Sequence, residues 1–590
     1  MFLYGFVGSA PCGGLLLEKL QACTQPGLDG YGAALMQGGE LLCAKSKESV
    51  AALAQQLPES AAPCGLVHAR FATCGGRTAE NVHPFVTDDY CLAMNGTVEN
   101  AVALRSALNL LPYPDSDGAV LAALLQAYAD SGTVAALRLC CREARGNYAL
   151  AVLRRGEECL FACAHGAPLY AAVGGGSACV SSDLAALEPD QMKIYVLSAG
   201  ECVQLRPGKL QFWNAKGKKI KKSPCAVTLR RPPAAGFADP GEALQALPGD
   251  LELLLHRFVR GDQPRLGKSR LRPRGVSRVL LVGCGTSYHL AQAAACNFES
   301  VCDVPAFAYS AGEFCAGGVV CDRGALVVGI SASGQTAEVA EALQKAAAFG
   351  ARTASLTGDP DSPLARAGGT LLSLPCSLPG GLPPVTHFVL GYVLLALVAV
   401  DWGLRQKTIT PLFGRMAVKL CATLPDKLRL ILKSGSELDA LAAYLTGYDR
   451  LLFVGQNIDL AAAGAMAGVW SRTLGVSVET VPAAELRHTL LPTVDSHTAL
   501  VALISSRELT EKTCAALQLA AIRGAGTVES LAGQLSGARQ VFLFPDSLPL
   551  LAPVCQCATL SMLLLRLCTA REQAGRPVEH PPVLPRYFAG

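Results

Sequence analysis

The strongest constraint on the fold is an internal repeat in the second half of the chain. The segment "ISASGQTAEVAEALQKAAAFGA" begins at Ile330, and "ISSRELTEKTCAALQLAAIRGA" begins at Ile504. The two segments align without a gap. Upstream of them, "VLLVGCG" (Val279–Gly285) and "LLFVGQN" (Leu451–Asn457) recur in the same order. Two copies of one domain are therefore predicted.

Each copy joins a strand rich in Val and Leu to a helix rich in Ala. "SRVLLVGCGTSYHLAQAAACNFES" and "GALVVGISASGQTAEVAEALQKAAAFGA" both follow this pattern. Strands that alternate with amphipathic helices are typical of βαβ units, which build parallel sheets. The second half is therefore predicted to contain two α/β domains, at residues 259–425 and 430–575.

The first part of the chain, residues 1–225, has a different sequence pattern. Short alternating segments such as "YGFVG", "GLVHARFAT" and "NYALAVL" are separated by glycine, which favours antiparallel sheets with a few helices, among them Asp117–Tyr128. The Pro- and Gly-rich stretch Arg230–Asp250 has no period and marks the best linker candidate. Residues 226–258 are assigned to the linker and residues 576–590 to a C-terminal tail.

Length and charge limit the class of protein. A chain of 590 residues is too long for one core, and a formal net charge of +4 is small for that length. The one basic run, Lys216–Lys222, is interpreted as a solvated hairpin tip, so no nucleic-acid partner is expected. The apolar stretch Phe388–Val400 is shorter than the ~20 residues that span a bilayer, so a buried helix in a soluble protein is expected.

The cysteines do not form a metal or disulfide pattern. All 24 are spread through apolar segments, and neither Cys140–Cys141 nor Cys555–Cys557 has the paired spacing with histidine that zinc requires. Reduced, mostly buried thiols in a cytoplasmic protein are predicted, with no metal and no organic cofactor.

Two hydroxyl-rich loops in the first α/β domain carry the clearest functional signal. "GCGTSY" (Gly283–Tyr288) is called here the first hydroxyl loop, and "SASGQT" (Ser331–Thr336) the second hydroxyl loop. Each follows a strand and opens a helix, where free backbone N–H groups and hydroxyls bind anions. Ordinary N-caps are the alternative interpretation, but two such loops in one domain favour a phosphate. The candidate ligands are Thr286, Ser287, Ser331, Ser333 and Thr336.

These two loops resemble the SIS fold, which binds phosphosugars, and the resemblance extends into the first 225 residues. Four segments occur in the order found in class II glutamine amidotransferases: "HARFATCG" (His68–Gly75), "NVHPF" (Asn81–Phe85), "MNGTVEN" (Met94–Asn100) and "SSD" (Ser181–Asp183). The whole chain resembles the glucosamine-6-phosphate synthase family, the glutamine:fructose-6-phosphate aminotransferases. The resemblance implies an Ntn-hydrolase-like α/β/β/α sandwich followed by two doubly wound, parallel SIS domains.

In that family the first domain hydrolyses glutamine. By resemblance, Arg70 would bind the glutamine carboxylate and Asp117 its amine, while Asn95 and Gly96 would form the oxyanion hole. An ion pair for the arginine and a helix N-cap for the aspartate are the structural alternatives.

The family's nucleophile is missing. An N-terminal cysteine attacks the amide there, using its own α-amine as base. Here Tyr4 falls at that position, and a phenol with a pKa of ~10 is a poor nucleophile at neutral pH. Cys12 and Cys74 are nearby thiols, but neither falls at the position of the family's N-terminal cysteine. We expect glutamine hydrolysis to be lost, and glutamine binding stays open.

The family's sugar-transforming residues are only partly present. "AELRHTL" (Ala484–Leu490) resembles the family's ring-opening stretch and supplies Glu485 and His488. Ala332 replaces a family glutamine in the second hydroxyl loop. In the segment "PPVTHF", the residues Val385, Thr386 and His387 approximate the family's Ser-Thr-Lys loop.

Two further family groups have no counterpart. The isomerising Glu and its neighbouring Lys fall near Trp470 and Ala467 in an approximate alignment, and the Schiff-base Lys falls near Pro582. No lysine occurs after Lys512. Proline cannot replace an amine in carbinolamine chemistry.

Three functions remain open on the sequence. The first is an aminotransferase-like protein of amino-sugar (hexosamine) metabolism with a displaced nucleophile or a need for ammonia. The second is an SIS-type phosphosugar isomerase or deglycase that uses His488 and Glu485. The third is a non-catalytic regulatory protein that binds a phosphosugar. A hexose phosphate is the expected ligand in all three, glutamine is a second candidate, and the resemblance implies a homodimer.

Overall fold

The structure of the protein is a computed structural model made of two compact units, Met1–Gly236 and Phe237–Gly590. It describes residues 2–22, 28–57, 61–70, 74–110, 114–183, 186–187, 192–224, 240–375, 384–434, 436–505, 507–531, 540–543, 548–576 and 578. Residues 225–239 in the predicted linker and Pro582 in the predicted tail lie outside this set. Each unit is described separately below.

In the part of the first unit that the structure describes, there are two antiparallel sheets and five α-helices. Its strands are β1 (Phe2–Val7), β2 (Gly30–Gln37), β3 (Glu40–Ser46), β4 (Cys64–Arg70), β5 (Phe85–Val86), β6 (Tyr90–Val98), β7 (Gly146–Arg154), β8 (Leu160–His165), β9 (Tyr170–Gly174), β10 (Ser177–Ser181), β11 (Lys193–Val196), β12 (Cys202–Arg206), β13 (Lys209–Trp213) and β14 (Lys219–Ile220). Its helices are α1 (Gly13–Ala22), α2 (Val50–Gln56), α3 (Ala101–Ala107), α4 (Asp117–Ala127) and α5 (Thr133–Glu143). The predicted helix at Asp117 is confirmed.

The two sheets stack face to face, with helices on the outside. Their strand orders are β11-β9-β10-β1-β4-β2-β3 and β14-β13-β12-β8-β7-β6-β5. Side chains alternate between the faces of β1: Leu3 and Val7 lie in the core between the sheets, whereas Phe2 and Tyr4 pack in the outer core with α1 and α2. A third core lies between the second sheet and α3–α5. The predicted α/β/β/α sandwich is confirmed.

Within the described ranges, the second unit contains two five-stranded parallel sheets of the same design and a small antiparallel sheet formed by its first two strands. Its strands are β15 (Val259–Arg260), β16 (Gln263–Pro264), β17 (Arg278–Gly283), β18 (Ala306–Ser310), β19 (Ala325–Ile330), β20 (Arg352–Thr357), β21 (Thr370–Ser373), β22 (Arg450–Gly455), β23 (Ser477–Pro482), β24 (Thr498–Ile504), β25 (Gly526–Leu531) and β26 (Gln540–Leu543). Its helices are α6 (Pro240–Phe258), α7 (Thr286–Cys302), α8 (Ala311–Ala316), α9 (Ala337–Ala348), α10 (Pro363–Ala367), α11 (Pro384–Gln406), α12 (Pro411–Lys433), α13 (Ser436–Leu445), α14 (Ile458–Leu474), α15 (Arg507–Ile522) and α16 (Ala552–Gln573).

The two parallel sheets confirm the predicted repeat. Their orders are β18-β17-β19-β20-β21 and β23-β22-β24-β25-β26, so corresponding strands occupy corresponding places. The match extends to the backbone: Gly285 and Asn457, equivalent in the repeat, both cap a helix with φ of 54°. This left-handed φ suits glycine and, less often, asparagine.

Part of the predicted linker is instead a core helix. Helix α6 covers residues 240–258, and Leu244, Leu247, Leu251 and Leu254 on it are buried in the largest core of the second unit. The spacing of these leucines is helical. Pro248 lies inside the helix, and the nearby Pro and Gly residues hid that period in the sequence.

Two helices of the second unit are long and apolar. By length and composition alone, α11 and the segment Pro549–Gln573 could cross a membrane. In the most apolar 18-residue stretch of each, however, 94% of α11 and 78% of Pro549–Gln573 are buried inside the protein. The stretch Phe388–Val400 is the centre of α11, so the predicted buried helix is confirmed.

We expect α6 to stabilise the second unit. Leu251→Ala should lower its free energy of unfolding by about 2–5 kcal/mol, because the side chain is fully buried and its loss leaves a cavity. Leu253→Ala on the same helix is the matched control, since Leu253 is 54% exposed. A Trp213→Phe background leaves tryptophan only in the second unit, so fluorescence during denaturant unfolding reports that unit alone. Equal effects of the two leucine variants would show that α6 is only a linker.

Candidate functional site

The two hydroxyl loops of the first α/β domain lie side by side. Strands β17 and β19 are adjacent and parallel, with Gly283 opposite Ile330, so the loops that follow them leave the sheet at the same edge. The order β18-β17-β19 makes this gap the point where the winding of the sheet reverses. Open α/β sheets bind their ligands at this kind of position.

Hydrogen bonds within the second hydroxyl loop shape it for an anion. Ser331 Oγ accepts the Gly334 N–H at 3.1 Å and lies 2.9 Å from Thr336 Oγ1, and Ser333 Oγ accepts the Gln335 N–H at 3.2 Å. A hydroxyl that accepts an N–H still has its own proton to donate. Gly334 has φ of 65°, and a Cβ there would collide with Ser362. The loop therefore requires glycine at this turn.

The first hydroxyl loop is supported from α11. Ser287 Oγ lies 3.2 Å from Nε2 of His387, and both side chains are buried. Burial lowers the pKa of His387 to about 4, so the ring is neutral at pH 7. With the ring proton on Nε2, the imidazole donates to Ser287 Oγ and leaves the Ser287 proton for an anion. The resemblance alone pointed to His387, and the geometry supplies its contact.

A cavity of about 450 Å³ adjoins the first hydroxyl loop. It lies between α7 on one side and α14 with β23 on the other, within the size range of small-molecule sites. Its lining residues are Gly285, Thr286, His289, Gly464, Ala465, Ala467, Gly468, Arg472, Val478, Glu479 and Thr480.

Small residues on α14 create this space and charged residues give it polarity. A Cβ on Gly464 would collide with the His289 ring, so glycine lets the ring enter the gap between α7 and α14. Burial lowers the pKa of His289, which favours a neutral ring. Arg472 and Glu479 bring one positive and one negative charge to the wall.

Sequence reasoning missed His289, Arg472 and Glu479. The missing family Glu and Lys were placed near Trp470 and Ala467, but Trp470 is buried and its indole N–H donates to the Leu560 carbonyl at 3.1 Å. Ala467 does line the cavity. Helical spacing could have indicated Arg472, because positions 465, 468 and 472 share one face of α14.

The second α/β domain differs from the first at the start of α14. Asp459 and Ile458 stand at the positions that Ser287 and Thr286 occupy in the first copy. The Asp459 carboxylate is buried and accepts from the Ser505 N–H at 3.0 Å and from Gln556 Nε2 at 2.6 Å. Burial raises its pKa. A carboxylate of the chain thus takes the place that an incoming anion would need.

Glu485 and His488 lie apart from the cavity. Both side chains are exposed in the turn that follows β23, and neither lines the cavity. Nε of the adjacent Arg487 donates to Nε2 of the His488 ring at 3.3 Å. Within one chain, the structure does not bring these two residues to the hydroxyl loops.

In the first unit, Arg70 is engaged by the chain itself. Its guanidinium makes a 2.6 Å ion pair with Asp29, and both side chains are less than a tenth exposed. It also donates to the carbonyls of Cys74 at 3.0 Å and Gly76 at 3.2 Å. The structure therefore places an internal carboxylate on the arginine that was predicted to bind the glutamine carboxylate.

Asp117 is also engaged within the fold. It begins α4 and accepts the N–H groups of Val98 at 2.8 Å and Gly118 at 3.0 Å. Burial raises its pKa, and these hydrogen bonds act in the opposite direction. The contacts tie α4 to β6, where Asn95 and Gly96 lie half-buried. Gly96 has φ of 133°, and a Cβ there would collide with the Asn147 carbonyl.

None of the candidate nucleophiles is activated. Tyr4 is buried beside Phe2 and pairs with Val67 across β1 and β4, so it faces the opposite side of the sheet from Arg70. Burial raises the pKa of Cys12 to about 12 and also raises the pKa of Cys74. Tyr4 was expected to be a poor nucleophile, and its position also keeps it away from Arg70.

Comparison with known proteins is consistent with this architecture. A profile of the glutamine amidotransferase domain matches residues 68–189, and a profile of the SIS domain matches residues 274–399. The glutamine--fructose-6-phosphate aminotransferase [isomerizing] of Thermus thermophilus is 27% identical over 98% of both chains, and that of Caldanaerobacter subterraneus is 26% identical over 95% of both. The chain is related to these aminotransferases along nearly its whole length.

A solved structure of the same group shares the fold of the second unit. The C-terminal domain of glucosamine-fructose-6-phosphate aminotransferase from Francisella tularensis matches with a TM-score of 0.53 and 21% identity, covering 57% of this chain and 98% of that one. The amidotransferase segment 68–189 contains Arg70, Asn95, Gly96 and Asp117. The SIS segment 274–399 contains both hydroxyl loops.

We expect the Arg70–Asp29 pair to be structural. Asp29→Asn should destabilise the first unit by about 3–5 kcal/mol, because it leaves the buried guanidinium without its counter-charge. Glu40→Gln is the matched control, since Glu40 pairs with Arg155 at the surface and such pairs contribute about 1 kcal/mol or less. Hydrogen exchange of peptides from β4 measures both effects. A negligible loss in Asp29→Asn would mean that Arg70 is available to a ligand.

The buried His387 should make the second unit less stable in acid. Its unfolded pKa of ~6.5 exceeds its folded pKa of about 4, so the unfolded chain binds more protons and stability is lost as the pH falls from 6.5 to 4. The loss should approach about 3 kcal/mol. His387→Gln should flatten this dependence relative to the native chain, whereas His497→Gln at an exposed site should not. Denaturant unfolding in the Trp213→Phe background measures it. Parallel pH curves for all three chains would disprove the assignment.

Proposed function

We propose that the first α/β domain, residues 259–425, binds a hexose phosphate, in an aminotransferase-like protein of amino-sugar metabolism that no longer hydrolyses glutamine. The observation that carries this proposal is the pair of hydroxyl loops at one edge of the sheet, next to a cavity. We assign residues 1–225 to the amidotransferase-like domain, residues 430–575 to the second SIS-like domain and residues 576–590 to the tail.

The chemistry of the loops suits a phosphate monoester. Hydroxyls of Thr286, Ser287, Ser331, Ser333 and Thr336 can donate to its oxygens, and helices α7 and α9 begin directly at the two loops. Helix N-termini favour negative charge and offer free N–H groups. The sugar would extend toward His289 and the charged side chains of Arg472 and Glu479, which line the cavity and suit hydroxyl groups.

The state of the first unit supports the proposed loss of glutaminase activity. Arg70 and Asp117 are held by internal partners, Tyr4 faces the other side of the sheet, and burial raises the pKa of Cys12 and Cys74. Glutamine binding would require Arg70 to leave Asp29. We therefore propose that glutamine is not a substrate. The free thiols in the described parts of the chain fit a cytoplasmic protein.

A phosphosugar isomerase or deglycase is the second candidate. One observation favours it: Glu485 and His488 are exposed, so they could reach the cavity of another copy in a homodimer, as the resemblance to SIS proteins implies. If no second copy contributes these two residues, the domain binds a phosphosugar and does not transform it. This is the regulatory alternative.

Calorimetry tests the binding site. Fructose 6-phosphate and glucosamine 6-phosphate should bind, and Ser333→Ala should weaken binding about tenfold, because it removes one hydrogen bond to a charged phosphate. Thr510→Ala is the control, since Thr510 is the counterpart of Thr336 in the second copy, where Asp459 takes the anion's place. The absence of heat with either sugar phosphate, or equal effects of both variants, would overturn the proposed site.

Activity assays separate the two candidates. We expect no glutamate and no glucosamine 6-phosphate from glutamine with fructose 6-phosphate. Exchange of solvent deuterium at C1 or C2 of the bound hexose phosphate would support the isomerase, provided that His488→Ala abolishes it. Binding without exchange would support the regulatory function.

A further inference from the structure

Three cysteines meet on the outer face of the second sheet of the first unit. The Cys163 sulfur on β8 lies 3.4 Å from that of Cys141 on α5 and 3.3 Å from that of Cys202 on β12. All three are free thiols. Cys163 and Cys202 are fully buried, whereas Cys141 is partly exposed, so a reagent from solvent meets Cys141 first.

The backbone brings the central pair close together. Cys163 and Cys202 are opposite each other in the β8–β12 ladder. The next pair, Ala164 and Glu201, is joined by an N–H···O hydrogen bond, so the cysteine pair is of the non-hydrogen-bonded kind. Side chains approach most closely at such pairs, within the range of Cα distances that a disulfide spans.

The surroundings of Cys141 favour its thiolate. The largest effect on its pKa is a hydrogen bond from the Cys163 thiol, which lowers it, and the neighbouring His165 and Tyr148 lower it further against the effect of burial. The interaction of Cys141 with His165 raises the pKa of that imidazole. The His165 ring stacks on the Tyr148 ring with centroids 4.9 Å apart.

We propose that Cys141, Cys163 and Cys202 form a thiol redox site in which Cys141 reacts with a hydroperoxide and Cys163 closes a disulfide with it. The site belongs to the first unit and does not depend on the proposed phosphosugar site. Neither the glutamine chemistry of the related aminotransferases nor the hydroxyl loops use these residues.

The reaction balances with one hydroperoxide. The Cys141 thiolate attacks the terminal peroxide oxygen, so that an S–O bond forms, the O–O bond breaks, and His165 supplies a proton to the leaving alkoxide. The Cys163 sulfur then attacks the Cys141 sulfur, forming the S–S bond as the S–O bond breaks and water leaves with the Cys163 proton. Two thiols are oxidised by two electrons, and the peroxide is reduced to alcohol and water. Cys202 can exchange into this disulfide through Cys163 and release Cys141.

The full-length native chain provides the first test. After reduction it is treated with one equivalent of hydrogen peroxide, the remaining thiols are alkylated, and peptides are mapped by mass spectrometry. We expect the loss of two thiols and a disulfide from Cys163 to Cys141 or Cys202. A disulfide mapped elsewhere, or oxidation spread evenly over the partly exposed thiols, would overturn the proposal.

Variants separate the roles of the thiols. Cys141→Ser should slow the fast phase of thiol loss at least about tenfold, whereas Cys321→Ser should not, because Cys321 is also partly exposed but burial raises its pKa. Cys163→Ser should keep the fast first step and leave a sulfenic acid at Cys141 that a dimedone probe traps. If the Cys141 variant fails to fold, the dimedone result in Cys163→Ser and the native disulfide map still decide the matter.

Metal binding is the competing use of three thiols and an imidazole. Within the described ranges, no group of three or more His, Cys, Asp or Glu side chains is arranged to hold a metal ion. Stoichiometric zinc in the purified protein, together with thiols that react with peroxide only after chelation, would overturn the redox proposal.

Discussion

The pairing of β17 with β19 is the constraint on which the candidate site depends. Each hydroxyl loop on its own is an ordinary helix start. With Gly283 opposite Ile330, the loops share one edge of the sheet and can act on the same anion. The parallel arrangement also directs the starts of α7 and α9 toward that edge, so the partial positive charges of two helices add to the donors. His387 and the small residues of α14 then complete the surroundings.

At two positions where an external anion could bind, the chain has a carboxylate of its own. Asp29 neutralises Arg70 in the first unit, and Asp459 accepts the Ser505 N–H in the second α/β domain. In the first case the carboxylate satisfies a buried guanidinium, and in the second it satisfies a backbone N–H, so neither group needs a ligand. The first hydroxyl loop carries a neutral serine at the position of Asp459. In the described residues, this loop therefore does not have a carboxylate of its own at the position of the proposed anion.

Much of the architecture was predictable from local pattern. The repeat, the parallel sheets and the antiparallel first unit follow from alternation and periodicity, which depend on neighbours in the chain. The hydroxyl loops were also predictable, because they are contiguous segments. Helix α6 was not, since its Pro and Gly residues obscured four buried leucines whose packing partners lie far away in the sequence. The cavity residues His289, Arg472 and Glu479 were missed for the same reason.

The sequence by itself determined the order of domains, the duplicated α/β unit and the absence of a cysteine at the expected nucleophile position. Only the tertiary structure decided which of the retained residues are available. Arg70 and Asp117 are present in the sequence, but long-range partners hold them. Tyr4 and Arg70 lie on neighbouring strands, yet on opposite faces. The physical reason is that identity sets what a side chain can do, whereas burial and pairing between distant segments set what it is free to do.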